Sequence, residues 1–420
     1  MEDGKKAPIL KRFLSALGPG VITGAADDDP SGIATYSIAG AQIGTSLLWM
    51  SWLTWPLMAA VQMMCARIGM VTGQGLASAL GKKLPKSLLV VFSFALLIAN
   101  TINIAADLAG MADAAELLSG ISSYFYVIFF GICISYAVVK FRYHQIASVL
   151  KWLALSLFAY VIAAFIIHPD WSMVARRTFS ISIPKSKETW ETIVAILGTT
   201  ISPYLFFWQA AQEVEEEKAM GRRMRARKGV TKVELIDRMM DVGTGTFLSN
   251  IVMFFIILTT ALTLNKNGLT NITSAKEAAE ALRPLAGNLA MLLYTVGIVA
   301  VGLLAIPTLA GSAAYALAET FNWSQGLDKK LRQAGAFYTV ILLSVLCGIA
   351  LNFLHINPVQ ALFWTAVING LLAPFLLIGI LLVARDRRIM HGHPSTKLNQ
   401  GVVAITTLFM FMAAIGMVAL

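Results

Sequence analysis

The chain has 420 residues, 57% of them hydrophobic and 13% charged, with a mean hydropathy of +0.71. That composition excludes a soluble domain and describes a polytopic membrane protein, embedded along its whole length as one domain, 1–420. The formal charge of +10 does not mark a nucleic-acid surface, because the 33 Lys and Arg gather between apolar runs and mostly on one side, which is taken as cytoplasmic.

Apolar runs long enough for a bilayer fall at about 13–43, 46–71, 85–118, 121–139, 146–168, 188–216, 239–264, 287–318, 334–355, 358–384 and 400–420. About eleven spanning helices with a cytoplasmic N-terminus put the C-terminus outside. The basic start, MEDGKKAPILKRF, has no short apolar region with a cleavage site behind it and reads as a cytoplasmic tail. Without a targeting segment, the expected location is the plasma (inner) membrane.

The first run carries GAADDDPSG, residues 24–32, in its middle. Pro30 lacks a backbone donor and keeps Asp29 out of helical geometry, so this span is expected to divide into two half-helices, with Asp29 capping the second. In the third run, NIAADLAG places Asp107 at membrane depth, while Asp113 and Glu116 lie toward its outer end. Cys65, Cys133 and Cys347 all sit in apolar runs and suggest neither a disulfide nor a zinc site. The outer connection HPDWSMVARRTFSISIPKSKE, with Arg176, Arg177, Lys185 and Lys187, reads as a loop and is the main exception to the charge rule.

The sixth run repeats the pattern of the first. In ILGTTISPYLFFWQ, Ser202 precedes Pro203 and is expected to cap a second half-helix. About five spans separate the two breaks, the pattern of an inverted-repeat transporter with its substrate at the midplane. The repeats are then about 13–168 and 188–384, with an extra helix at 400–420. The charged stretch EVEEEKAMGRRMRARKGVTKVELIDRMMD reads as a solvated cytoplasmic loop; an inner vestibule lined by Glu213, Glu215, Glu216 and Glu217 is the alternative. In the tenth run, Asn369 with Gly370 and Pro374 reads first as a packing kink and second as a polar group near the substrate. Asn271, in an NIT triplet, is given no role.

Irregular backbone at membrane depth must line a cavity or be buried in protein. Carbonyls freed near Ala26 and Thr199, at the negative ends of the first half-helices, join the Asp29 carboxylate in a site suited to a cation. Asp27 and Asp28 are expected to shape the approach to it. This reading makes the chain a secondary transporter and not an enzyme, with no resident cofactor, no nucleic-acid partner, no obligate protein partner, and the bilayer and its cation as partners.

These residues resemble the NRAMP family of divalent-metal transporters over nearly the whole chain. Asp29-Pro30-Ser31-Gly32 is similar to the family's Asp-Pro-Gly-Asn motif, Ile201-Ser202-Pro203-Tyr204 stands where the family has Met-Pro-His, and Asp107 matches the acid of its Asp-Leu-Ala-Glu pattern. The resemblance implies an all-α membrane protein of the LeuT-type fold, ten core helices in two inverted repeats plus an eleventh, with broken helices 1 and 6. It implies metal ligands at Asp29, Gly32 and Ser202 beside the Ala26 and Thr199 carbonyls, and pathway residues at Asp28, Tyr204, Gln209, Asp107 and Asn369.

The departures carry the functional expectation. Where the family has Asn, Met and two His, this chain has Gly32, Ser202, Tyr204 and Gln209; Asn100 and Gly110 stand where two further acids would be. Losing a soft thioether and an amide leaves oxygen ligands and open space, which suits the strongly hydrated Mg2+ and still accepts Mn2+. His144, His168, His355, His391 and His393 all lie in loops or at span ends, so movement is expected to be uncoupled from protons, as in the NRAMP-related magnesium transporters the chain resembles. The alternatives are a proton-coupled Mn2+ or Fe2+ importer and, more distantly, an amine symporter of the same fold.

Overall fold

In a computed structural model, residues 19–141, 155–183, 186–221, 230–354 and 356–419 are described. They are helical throughout, and no strand occurs among them. The basic N-terminal tail, His144, Lys185 and His355 lie outside the described residues.

The first apolar run forms α1 (Pro19–Asp27) and α2 (Pro30–Ile43), 9 and 14 residues long, parted at Asp28 and Asp29. Asp29 is extended and its carboxylate accepts from the Gly32 amide, so it caps α2 as expected. Next come α3 (Leu48–Thr72), short α4 (Leu76–Leu80), α5 (Lys86–Ser119), α6 (Ser123–Lys140) and α7 (Ala159–Ile166). The outer connection is not all loop: it holds α8 (Trp171–Phe179), because Asp170 accepts from the Ser172 and Met173 amides and starts a helix there.

The second break parts α9 (Lys187–Thr200) from α10 (Pro203–Ala219). Then follow α11 (Lys232–Thr263), α12 (Ala290–Phe321), α13 (Gly335–Leu351), α14 (Pro358–Ala384) and α15 (Lys397–Ala419). Eight segments among the described residues are long and apolar enough to cross a membrane. The remaining expected spans correspond to the α1–α2 pair, to α3 with its 25 residues, and to the run containing α7.

One expectation about helix extent is corrected. The acidic stretch after the sixth run is the end of α10, not a loop, and α11 starts seven residues before the apolar run that marks it; Glu213 and Glu217 are buried. Glu213 meets Arg238 on the neighbouring helix, as described below. The tenth span runs unbroken through Asn369, Gly370 and Pro374. Its glycine serves packing: a Cβ on Gly198 of α9 would lie 1.9 Å from the Ala366 carbonyl and 2.4 Å from the Gly370 amide of α14, so the two backbones touch. Gly24 of α1 meets Gly245 of α11 in the same way, at 2.4 Å.

Polar contacts gather at the two ends of the bundle. At one end Lys83 pairs with Asp386, Arg67 donates to the His393 carbonyl, and the Ser78 amide donates to Glu319. At the other, Asp113 accepts from the Ala275 amide, Glu116 from the Ser123 amide, and Asn357 donates to the Thr273 carbonyl. Asp113 and Glu116 thus secure helix and loop ends, as their position suggested.

Candidate cation site at the two helix breaks

A proline without an N–H leaves the carbonyl four residues earlier with no helical partner. For Pro30 that carbonyl belongs to Ala26, and for Pro203 to Thr199. Each is taken up by a hydroxyl: the Tyr204 OH donates to the Ala26 oxygen at 2.9 Å, and the Ser202 Oγ donates to the Thr199 and Gly198 oxygens at 2.8 and 2.5 Å. Ser202 stands at the cap position just before α10 with extended backbone but makes no capping bond. The expectation that it caps α10 is therefore corrected: its hydroxyl closes the helix behind it.

Asp29 is buried, and its Oδ1 accepts from the Ser31 hydroxyl at 2.6 Å and the Gly32 amide at 2.7 Å. Oδ2 accepts from the Asn103 Nδ2 of α5 at 3.2 Å. Asp27 and Asp28 are buried too, with the Ser249 hydroxyl of α11 between them, 2.7 Å from Asp27 Oδ2 and 3.0 Å from Asp28 Oδ1. Asp107 is fully buried within electrostatic range of Asp29; the Ser31 amide lies near it, but neither carboxylate oxygen has hydrogen-bond geometry with any described residue. Four carboxylates thus cluster by the first break.

The other expected residues divide. Gly32 does not leave open space, contrary to the sequence reading: a Cβ there would meet Thr199 Oγ1 at 3.1 Å, the Asp27 carbonyl at 3.4 Å and the Tyr36 ring at 3.4 Å. Having no side chain lets the two breaks close on each other. Asn369 is buried with Oδ1 unpartnered among the described residues. Gln209 is drawn toward the end of α10, where its Nε2 donates to Glu213 at 2.7 Å. Asn100 ties α5 to α12 by donating to the Leu309 carbonyl and the Ser312 hydroxyl, 2.8 Å each.

Beyond Gln209 lies an ionic clasp that sequence reading assigned to a loop. Arg238 of α11 reaches Glu213 at 2.9 Å, Asp241 at 2.5 Å, and Glu216. Asp241 also accepts from the Gly20 amide at 2.7 Å, which fastens the start of α1 to α10 and α11. Asn103 and Ser249 were missed as well. Asn103 had a signal, standing one helical turn before Asp107 on the same face; Ser249 is one hydroxyl in an apolar run and had none.

Among the described residues, no three His, Cys, Asp or Glu side chains are placed together to hold a metal ion. A cation held here therefore needs amide, hydroxyl or carbonyl oxygens beside the carboxylates.

Helices broken in pairs around buried carboxylates are the construction of a LeuT-type transporter, and comparison with solved structures gives that fold. The Eremococcus coleocola manganese transporter superposes with a TM-score of 0.79 at 18% identity, over 98% of this chain and 88% of that one. Mhp1, a nucleobase-cation-symport-1 family transporter, superposes at 0.54 with 13% identity, over 96% of this chain and 90% of its own. The profile of the Nramp family, described as natural resistance-associated macrophage protein-like, matches residues 20–420, and the chain belongs to that family. A divalent metal cation transporter MntH of Caldanaerobacter subterraneus is 28% identical over 408 residues, 93% of this chain and 89% of that protein.

Proposed function

We propose that this chain carries divalent metal cations across the membrane by alternating access, with Asp29 as the central anion. The observation that carries the reading is a buried aspartate at the junction of two broken helices in a chain of the Nramp family. Several carboxylates in a low-dielectric interior are costly unless a cation neutralises them, and a divalent ion does so for two at once. The Ala26 and Thr199 carbonyls, each with a second lone pair beyond the bond it accepts, are further ligands. Ser202 joins them only if its hydroxyl turns, and Gly32 contributes close packing in place of a ligand.

Mn2+ is the favoured cargo. The names of the related proteins, a divalent metal cation transporter and a manganese transporter, support it. An all-oxygen shell suits it as well. Asp107, buried beside Asp29 with the Ser31 amide near it, supplies a second titratable group, which favours proton movement along with the metal. Uncoupled Mg2+ movement is the second reading, favoured by the absence of thioether and imidazole from the breaks. An amine substrate is disfavoured because Thr199 and Tyr36 fill the space beside Gly32. Asp28, Tyr204, Gln209 and Asn369 are assigned to the pathway. The protein lies in the plasma (inner) membrane with about eleven spans, the clasp end cytoplasmic and the C-terminus outside. The two repeats are about 13–168 and 188–384, followed by the extra helix.

The test is uptake of Mn2+ and Mg2+ into proteoliposomes with an internal pH dye. Mn2+ entry with acidification is expected. Mg2+ entry without acidification establishes the second reading, and entry of neither cation contradicts both.

A further inference from the structure

Resting on the reading of the breaks as a divalent-cation site, we propose that Asn103 of α5 is itself a cation ligand, its amide turning to present Oδ1 to the metal beside Asp29. In the structure its Nδ2 donates to Asp29 Oδ2 at 3.2 Å, and its Oδ1, in a fully buried side chain, has no partner among the described residues. A buried acceptor left unpaired is costly, and in an amide whose nitrogen already touches the central carboxylate that oxygen has a use once a cation arrives.

Three features support this role. With metal–oxygen distances of about 2.1 Å in an octahedral shell, neighbouring ligand oxygens stand about 3.0 Å apart. The separation of the Asn103 amide from Asp29 Oδ2 already matches that edge. A half-turn of the carboxamide exchanges nitrogen for oxygen at the same place without moving the backbone, converting a donor to the free carboxylate into a ligand beside the bound one. Finally, two positions expected as side-chain ligands leave the shell incomplete: the Ser202 hydroxyl is engaged by its own helix, and Gly32 has no side chain. Asp107, one turn along α5, has two oxygens without hydrogen-bond geometry to any described residue, so the third span offers an amide and a carboxylate from one face. The seat then lies between the first break and α5. Its amide oxygen is hard, with no bias toward soft metals.

Mn2+ uptake by the full chain in proteoliposomes tests the assignment, using Asn103→Ala, Asn103→Asp and Asn103→Leu, each checked for a monodisperse elution profile. Asn103→Leu keeps the number and branching of the side-chain heavy atoms and reports the same loss should the alanine variant not fold. Removing the amide is expected to raise KM about tenfold. Asn103→Asp, which keeps an oxygen but donates nothing, is expected to return KM to the wild-type range. If Asn103 only positions Asp29 through its N–H, the aspartate variant is as impaired as the alanine one, and the proposal is overturned. An unchanged KM in Asn103→Ala also overturns it. Asp29→Ala, run in parallel, separates this from the underlying reading: wild-type uptake in that variant removes the cation site itself, whatever the Asn103 variants do.

Discussion

Asp29 and Ser202 occupy equivalent positions before Pro30 and Pro203, yet do different things. A carboxylate only accepts, so Asp29 turns forward to the amides of α2. A hydroxyl also donates, so Ser202 turns back to the carbonyl its proline has orphaned. The cap at Asp29 was legible because residue type and proline agree; the one at Ser202 failed because sequence does not show which way a hydroxyl points. Ser202→Ala is therefore expected to retain Mn2+ uptake while losing about 1–3 kcal/mol of stability, the cost of an unpaired buried carbonyl, read as a lower melting temperature in detergent. Abolished uptake in a folded Ser202→Ala protein would make the hydroxyl a required ligand.

At the scale of elements, the breaks and the order of the spans were legible from proline position and apolar run length. The extent of α10 and α11 was not, since a window full of charge looks solvated until its partners are known. Arg238 sits between carboxylates of both helices, with side chains 10% exposed for the arginine and 0% for Asp241. Arg238→Leu strands Glu213 and Asp241 and is expected to cost about 3–5 kcal/mol, visible as a large fall in melting temperature. Because Asp241 also holds the Gly20 amide, that amide should exchange its hydrogen for deuterium faster in the variant than in the wild type; equal rates would show that the clasp does not restrain α1. A second ionic contact joins the segment before α5 to the one between α14 and α15. Lys83, with help from the Ile389 and Arg388 amides, holds the Asp386 carboxyl down at about 2. Its contribution is present above the ordinary aspartate value and is lost as pH falls through about 2. Lys83→Met should accordingly destabilise the protein at pH 6 and melt with the wild type at the acid limit; a constant difference across that range would contradict the assignment.

In the whole molecule, the broken α1–α2 and α9–α10 pairs meet where Gly32 packs against Thr199, while α5, α11 and α14 bring Asn103, Asp107, Ser249 and Asn369 around them. Composition and span count foretold the membrane bundle, and the two Pro-containing breaks foretold where its polar centre lies. The partners supplied by other helices were hidden, because isolated polar residues in apolar runs gain meaning only when packing brings them together. The central claim is that Asp29 anchors a transported divalent cation. The most direct test is Mn2+ uptake into proteoliposomes by Asp29→Ala, with intact folding checked by its elution profile. Loss of uptake at wild-type expression and folding is the expected result; uptake at the wild-type rate would contradict the account.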